Sequence, residues 1–258
     1  MSSSDIYKSK DWITEKAFIK KDDYKAMYEQ SISKPDEFWF EQGQRLDWFT
    51  PYTKVRDYSY EKDDLYIKWY EDGELNASYN CLDRHIEKNA DKIAVIWEGD
   101  DPSNSRKITY QELLTEVCKF SNGLKSLGVK KGDGVTIYMP MIPEAAIAML
   151  SCARIGAVHS VVFGGFSPEA LAGRLEDCDS KYIITADEGV RGGKTIPLKE
   201  NVDKAISKIE DFKKCVVVKR TGNAINWDSS IDHWYEDLVS SASDICEPEK
   251  MSSEDPIF

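Results

Sequence analysis

Two short stretches of the chain carry residue types suited to holding a phosphorylated nucleotide. In the first, the apolar run Val161-Val162-Phe163 stops at Gly164-Gly165, and Ser167-Pro168 then reads as the N-cap and first residue of a helix. A strand, a diglycine and a capped helix start bring backbone N–H groups and the positive helix end to one spot, which suits an anion. Glycine there removes the side chain that would block close approach. In the second stretch, Asp187-Glu188-Gly189-Val190-Arg191-Gly192-Gly193-Lys194, a diglycine lets the backbone turn tightly between two cations. Arg191 offers a planar fork for phosphate oxygens, and Lys194 a mobile point charge. The plain alternatives are a solvated loop for Arg191 and Lys194 and an ordinary packed ring for Phe163, which otherwise could stack on a base. Strand–glycine–helix turns are common and often bind nothing, so neither stretch is decisive alone.

The elements that must position these stretches follow from periodicity. Helical patterns are expected at 22–32, 35–42, 78–89, 143–155, 168–178, 198–210 and 232–242, with strands at 93–96, 135–139, 158–163, 182–185 and 216–218. Thr109 and Glu112 form a capping box that opens a further helix ending at Gly128, and residues 99–107 read as a turn-rich connection. Strand and helix alternate, and the strands are short and apolar without alternation. That pattern predicts a doubly wound, mostly parallel α/β sheet with helices on both faces. In such sheets ligands bind outside the carboxyl ends of the strands, and both candidate stretches leave that edge. They share one crevice if their two strands lie side by side. Residues 1–77 differ: they hold four of the seven tryptophans (Trp12, Trp39, Trp48 and Trp69) and show little regular periodicity. They read as an aromatic-rich N-terminal arm packed onto a neighbouring domain, residues 78–258.

Composition bounds the function. A hydrophobic share of 41% and a charged share of 31% describe an ordinary globular chain, and no apolar run is long enough to span a membrane. The opening MSSSDIYKSKDW lacks the apolar centre of a signal peptide, so the cytoplasm is the expected compartment. The net charge of −12 disfavours nucleic acid as a partner, so an anionic ligand needs a local basic cluster. None of the six cysteines sits in a C-x-x-C pair, and the three histidines are scattered, so buried reduced thiols and structural histidines are expected rather than a metal site. Arg154 and Arg174 read as ion-pair or carbonyl-binding residues, while Asp187 and Glu188 form a carboxylate pair with nothing that places a substrate beside it. No phosphate-loop lysine motif, G-x-S-x-G or H-E-x-x-H occurs. The residues themselves define binding surfaces and no catalytic constellation.

Three long blocks go further. IKWYEDGELNASYNCLDRHIEKN (67–89), YMPMIPEAAIAMLSCARIGAVHSVVFGGFSPEALAGR (138–174) and ITADEGVRGGKTIPLKENVD (184–203) resemble the AMP-forming acetyl-CoA synthetases, which are adenylate-forming ligases. The resemblance implies a two-step reaction: acetate and ATP give acetyl-adenylate and pyrophosphate, and the CoA thiol then displaces AMP. It implies that Phe163, Gly164 and Gly165 lie against the adenine end of CoA and that Arg191, Gly192, Gly193 and Lys194 meet its phosphates. By the resemblance, bacterial relatives can carry Arg at the position of Lys194; Lys keeps the charge and loses the fork. In the family, a segment like the closing MSSEDPIF leads into the phosphate loop that grips ATP, so the resemblance implies an incomplete large domain, a fragment inactive alone, with the Mg²⁺ that accompanies ATP held elsewhere. A ligase for propionate or another short acid, and a non-catalytic nucleotide-binding module, stay open beside the acetate reading.

Overall fold

The computed structural model describes residues 9–258; the first eight residues, where the expected arm begins, lie outside the described residues. The chain divides into two compact units, one comprising residues up to Leu46 with Thr53–Glu71, the other Asp47–Tyr52 with Asp72–Phe258. The first unit contains α1 (Asp11–Lys16), α2 (Lys21–Ser33), α3 (Pro35–Gly43) and a hairpin of β1 (Arg56–Glu61) and β2 (Asp64–Trp69). Two of its helices match the expected pieces, with Pro35 opening the second. The hairpin is more regular structure than the sequence pattern suggested. Its strands are rich in Tyr, Asp and Lys and partly exposed on both faces, so no clean alternation marks them. Aromatic edges hold this unit: Phe38 meets Trp39 at 5.1 Å between ring centres, and Trp39 meets Trp69 at 5.6 Å. Arg56 Nε bonds Asp36 at 2.6 Å, and the Tyr70 hydroxyl donates to the Trp39 carbonyl at 2.7 Å.

The second unit runs through β3 (Glu74–Leu75), α4 (Ala77–Cys81), α5 (Asp83–Asn89), β4 (Ile93–Glu98), β5 (Ser105–Thr109) and α6 (Tyr110–Ser126). It continues with β6 (Gly134–Met139), α7 (Pro143–Arg154), β7 (Val158–Phe163), α8 (Pro168–Asp177), β8 (Tyr182–Ala186), β9 (Gly189–Arg191) and β10 (Lys194–Ile196). The last elements are α9 (Leu198–Ile206), β11 (Lys214–Val218), β12 (Asp232–Trp234), α10 (Tyr235–Ser240) and β13 (Met251–Ser252). The capping box forms as expected, Glu112 accepting from the Thr109 N–H at 2.8 Å and the Thr109 hydroxyl from the Glu112 N–H at 3.2 Å. Four details differ from the sequence reading. The 78–89 helix is two helices, broken at Leu82, whose side chain is buried. The 99–107 connection ends in β5, which pairs with β4, and the helix from Leu198 stops at Ile206. The 232–242 segment starts as a strand because three of its residues pair with β11. These short elements are fixed by their partners, which local periodicity does not record.

Five strands form one fully parallel sheet in the order β12-β11-β8-β6-β7. Every residue of β8 is buried, as a strand covered on both faces must be. The winding explains the two helical layers. From β6 the chain steps one way to β7 through α7, then reverses past β6 to β8 through α8 and onward to β11 through α9. Right-handed crossovers in opposite directions put their helices on opposite faces. Accordingly α6 packs with both α7 and α10, whereas α8 packs with α9. The doubly wound parallel sheet is present. The reversal on either side of β6 is a topological switch point, where the ends of neighbouring strands part and leave a crevice.

All six cysteines are free; Cys118, Cys152, Cys215 and Cys246 are buried, whereas Cys81 and Cys178, near helix ends, are exposed, contrary to the expectation of burial. Burial pushes the Cys152 thiol up to about 12. His159 is buried in β7 and its ring is held below the usual histidine range by loss of water.

Candidate nucleotide site

Over the carboxyl ends of β6 and β7 lies a cavity of about 600 Å³, bounded by Phe163-Gly164-Gly165 after β7, Met139-Pro140 after β6, Gly189-Val190-Arg191 after β8, and by Trp97 and Arg220. The two stretches singled out from the sequence therefore meet. The premise that their strands lie side by side is not met, because β6 runs between them. They meet because residues 189–196 form a hairpin, β9 paired with β10, whose base packs over Pro140. The expected loop is thus a two-stranded hairpin reaching across one strand.

Its tip explains the second diglycine. Arg191 and Lys194 are cross-strand partners, and the two residues between them have φ of +56° and +72°. Two consecutive positive φ values are the demand of a two-residue hairpin loop, and glycine meets them without strain. A Cβ on either would touch nothing, so conformation and not contact selects glycine here. Arg191 lies with its guanidinium carbon 5.7 Å from the Phe163 ring centre. Gly192, Gly193 and Lys194 are exposed and stand outside the cavity lining.

The first diglycine has a different reason. A Cβ on Gly164 would sit 3.0 Å from the Met139 carbonyl oxygen, and one on Gly165 only 2.6 Å from a Phe163 ring carbon. Both glycines let protein approach protein: the turn closes against the end of β6, and the Phe163 ring folds over Gly165. Phe163 nonetheless remains 58% exposed, which leaves apolar surface of the residue accessible on the cavity wall. The helix start is less open than its sequence suggests. Ser167 caps the Ala170 N–H at 3.3 Å, Pro168 has no N–H, and the Glu169 carboxylate, held below its usual range by its own backbone N–H and by Ser167, already occupies the positive end. Attraction for an anion comes from arginine rather than from this helix end.

Sequence reasoning missed Arg220. It half-emerges from the loop after β11, its guanidinium carbon 5.3 Å from the Trp97 ring centre, while Trp97 Nε1 donates to the Met141 carbonyl at 2.7 Å. The only signal was position: Lys219-Arg220-Thr221-Gly222 follows a strand at the ligand-binding edge of the sheet. The carboxylate pair also finds its role here. Asp187, 1% exposed, accepts the backbone N–H groups of Glu188 (2.6 Å), Arg220 (2.9 Å), Thr221 (3.1 Å) and Gly222 (2.7 Å). Glu188 accepts the Thr221 hydroxyl and the Asn223 amide, each at 2.7 Å. Both acids build the loop that carries Arg220. In Asp187→Asn one acceptor oxygen becomes a donor facing buried N–H groups, so a loss of about 2–3 kcal/mol is expected. The check is thermal denaturation: a midpoint lowered by roughly 5–10 °C is expected, and an unchanged one contradicts the assignment.

Among the described residues no group of three or more His, Cys, Asp or Glu stands together to hold a metal ion, and no helix is long and apolar enough to cross a membrane.

Comparison with known proteins identifies the family of the chain. Residues 82–258 match the family described as AMP-binding enzyme, and residues 24–81 match the acetyl-coenzyme A synthetase N-terminus. The chain belongs to the AMP-binding enzyme family. Within this family it is 58% identical over 243 residues, 94% of its length, to an acetyl-coenzyme A synthetase of Parvibaculum lavamentivorans. It is 55% identical over its whole length to the corresponding protein of Shewanella pealeana. The chain spans 38% and 40% of these two relatives. An acetoacetyl-CoA synthetase from Streptomyces lividans, 22% identical, shares the fold with a TM-score of 0.80 over 95% of this chain and 37% of that one.

Proposed function

We propose that this AMP-binding enzyme chain supplies the CoA-nucleotide wall of an acetate–CoA ligase. In that reaction acetate oxygen attacks the α-phosphorus of ATP, giving acetyl-AMP and pyrophosphate; the CoA sulfur then attacks the acetyl carbonyl and AMP leaves, giving acetyl-CoA. The observation that carries the reading is the cavity where an exposed aromatic residue, Phe163, and a guanidinium with no ion-pair partner among the described residues, Arg191, stand together at the switch point of the sheet. Identities of 55–58% to acetyl-coenzyme A synthetases along nearly the whole chain support acetate and ATP as the other substrates. Adenine stacks on Phe163 above Gly164-Gly165, Arg191 meets a phosphate, and Lys194 beyond the hairpin tip adds charge from outside the cavity. The described residues do not provide an acidic cluster for the Mg²⁺ that accompanies ATP, so no step is assigned to it here. The reading places the protein in the cytoplasm, where all three substrates are found.

The test is CoA binding to this chain by calorimetry, with dephospho-CoA as the control. Saturable binding that weakens without the 3′-phosphate is expected; absent or phosphate-indifferent binding overturns the reading. Because the chain spans about two-fifths of its relatives, it is expected to show no sustained acetate-dependent pyrophosphate release by itself. Repeated turnover by the 258 residues contradicts that expectation.

A further inference from the structure

The cavity presents two guanidinium groups from two different loops, and neither has an ion-pair partner among the described residues. Arg191 rests on Phe163 at the hairpin, and Arg220 rests on Trp97 after β11. In a chain of net charge −12, two unpaired arginines on one cavity form a local exception to the overall field. Exposed carboxylates of Glu98 and Asp100 lie at the rim on the Trp97 side, outside ion-pair distance of either.

We infer that Arg220 is a second phosphate-reading residue of this site, engaging a different phosphate group of the same nucleotide from the one that meets Arg191. The inference rests on the nucleotide reading proposed above and adds what selects the ligand. Three observations carry it. Arg220 is preorganised: Asp187 fixes the backbone N–H groups of residues 220 to 222, and Glu188 fixes the side chains of Thr221 and Asn223. Its neighbour Lys219 is drawn away, with Nζ 4.5 Å from the Trp234 ring centre, so the loop directs one cation to the cavity and one elsewhere. Its guanidinium carbon lies over Trp97, 5.3 Å from the ring centre, on the lining of the cavity and without an ion-pair partner among the described residues. A nucleotide with phosphates on both the 3′ and the 5′ side of its ribose can meet both arginines, whereas a monophosphate meets one. The pair would therefore favour CoA over nucleotides phosphorylated at a single position.

The test uses this chain and three probes: adenosine 3′,5′-bisphosphate, adenosine 5′-monophosphate and adenosine 3′-monophosphate. Affinities are measured for the wild type, Arg191→Ala, Arg220→Ala and Arg220→Lys, with thermal denaturation as the check on folding. The wild type is expected to prefer the bisphosphate to either monophosphate by about tenfold or more. Each alanine variant should lose that preference over a different monophosphate, and Arg220→Lys should recover part of it. If Arg220→Ala binds the bisphosphate within twofold of wild type while Arg191→Ala does not, the inference falls and the nucleotide site stands. Equal weakening of all three probes by Arg220→Ala makes Arg220 a support for Trp97 and also overturns it. If the wild type binds none of the probes, the nucleotide reading and the inference fall together.

Discussion

Arg191→Ala is expected to weaken CoA binding to this chain by about 10- to 100-fold, the loss of one charge-assisted hydrogen-bonded contact of about 1.5–3 kcal/mol. The size follows from placement. The guanidinium stands on the cavity wall over Phe163, and its hairpin is held by the cross-strand pairing of residues 189–191 with 194–196. Arg191 has no carboxylate partner whose release would offset the change among the described residues. In a full-length acetate–CoA ligase that carries these residues, the same substitution should raise the KM for CoA. Acetate-dependent ATP–pyrophosphate exchange should stay within about twofold, because the adenylation half-reaction does not use CoA. Arg191→Lys tests the fork: charge is kept, planarity is lost, and an intermediate affinity is expected. Equal loss of CoA use and exchange would show that the hairpin serves the whole domain and not the CoA nucleotide.

Arg154→Met is expected to cost about 3–5 kcal/mol of stability, read as a lowered urea midpoint at unchanged slope. Arg154 has a side chain only 4% exposed at the end of α7, and it makes a two-pronged bond to Asp83 at 2.8 and 2.9 Å. Its Nε donates to the Cys246 carbonyl at 2.6 Å. Removing the cation strands a carboxylate whose side chain is 19% exposed and leaves a carbonyl without its donor. Neighbouring bonds raise the stakes: the Asn76 amide donates to the Ala153, Arg154 and Glu249 carbonyls, binding the same corner. Arg154→Met combined with Asp83→Leu should recover more than half of the loss, because the uncompensated charge is then gone. A loss below about 1 kcal/mol in the single variant would mean that water replaces the cation there and that the pair contributes little.

The architecture was largely legible in the sequence because its strands and long helices announce themselves locally. Val135 to Met139 and Tyr182 to Thr185 are mostly apolar, β-branched and aromatic runs, and the Thr109–Glu112 box marks its helix start without ambiguity. The elements that escaped are those stabilised from a distance. The strand β12 exists through pairing with β11, and β13 through pairing with β3, about 175 residues earlier in the chain. The reading of Arg154 as an ion-pair or carbonyl-binding residue matches a side chain that makes both contacts, although no local pattern could name Asp83, 71 positions away. Arg174, read the same way, is exposed and makes no ion pair among the described residues.

The candidate site divides along the same line. Phe163-Gly164-Gly165 and Arg191-Gly192-Gly193-Lys194 were visible because glycines next to strand ends and cations are a local signature. What the residues alone determined was the parallel α/β sheet and the two stretches leaving its ligand-binding edge. Only the tertiary structure decided that a hairpin carries Arg191 across β6 to Phe163, that Glu169 fills the end of α8, and that Arg220 joins the cavity. The physical reason is that strand order, not chain order, sets which loops meet. The β7 and β8 loops converge because the winding reverses at β6, and a reversal is a property of crossovers that no single segment encodes.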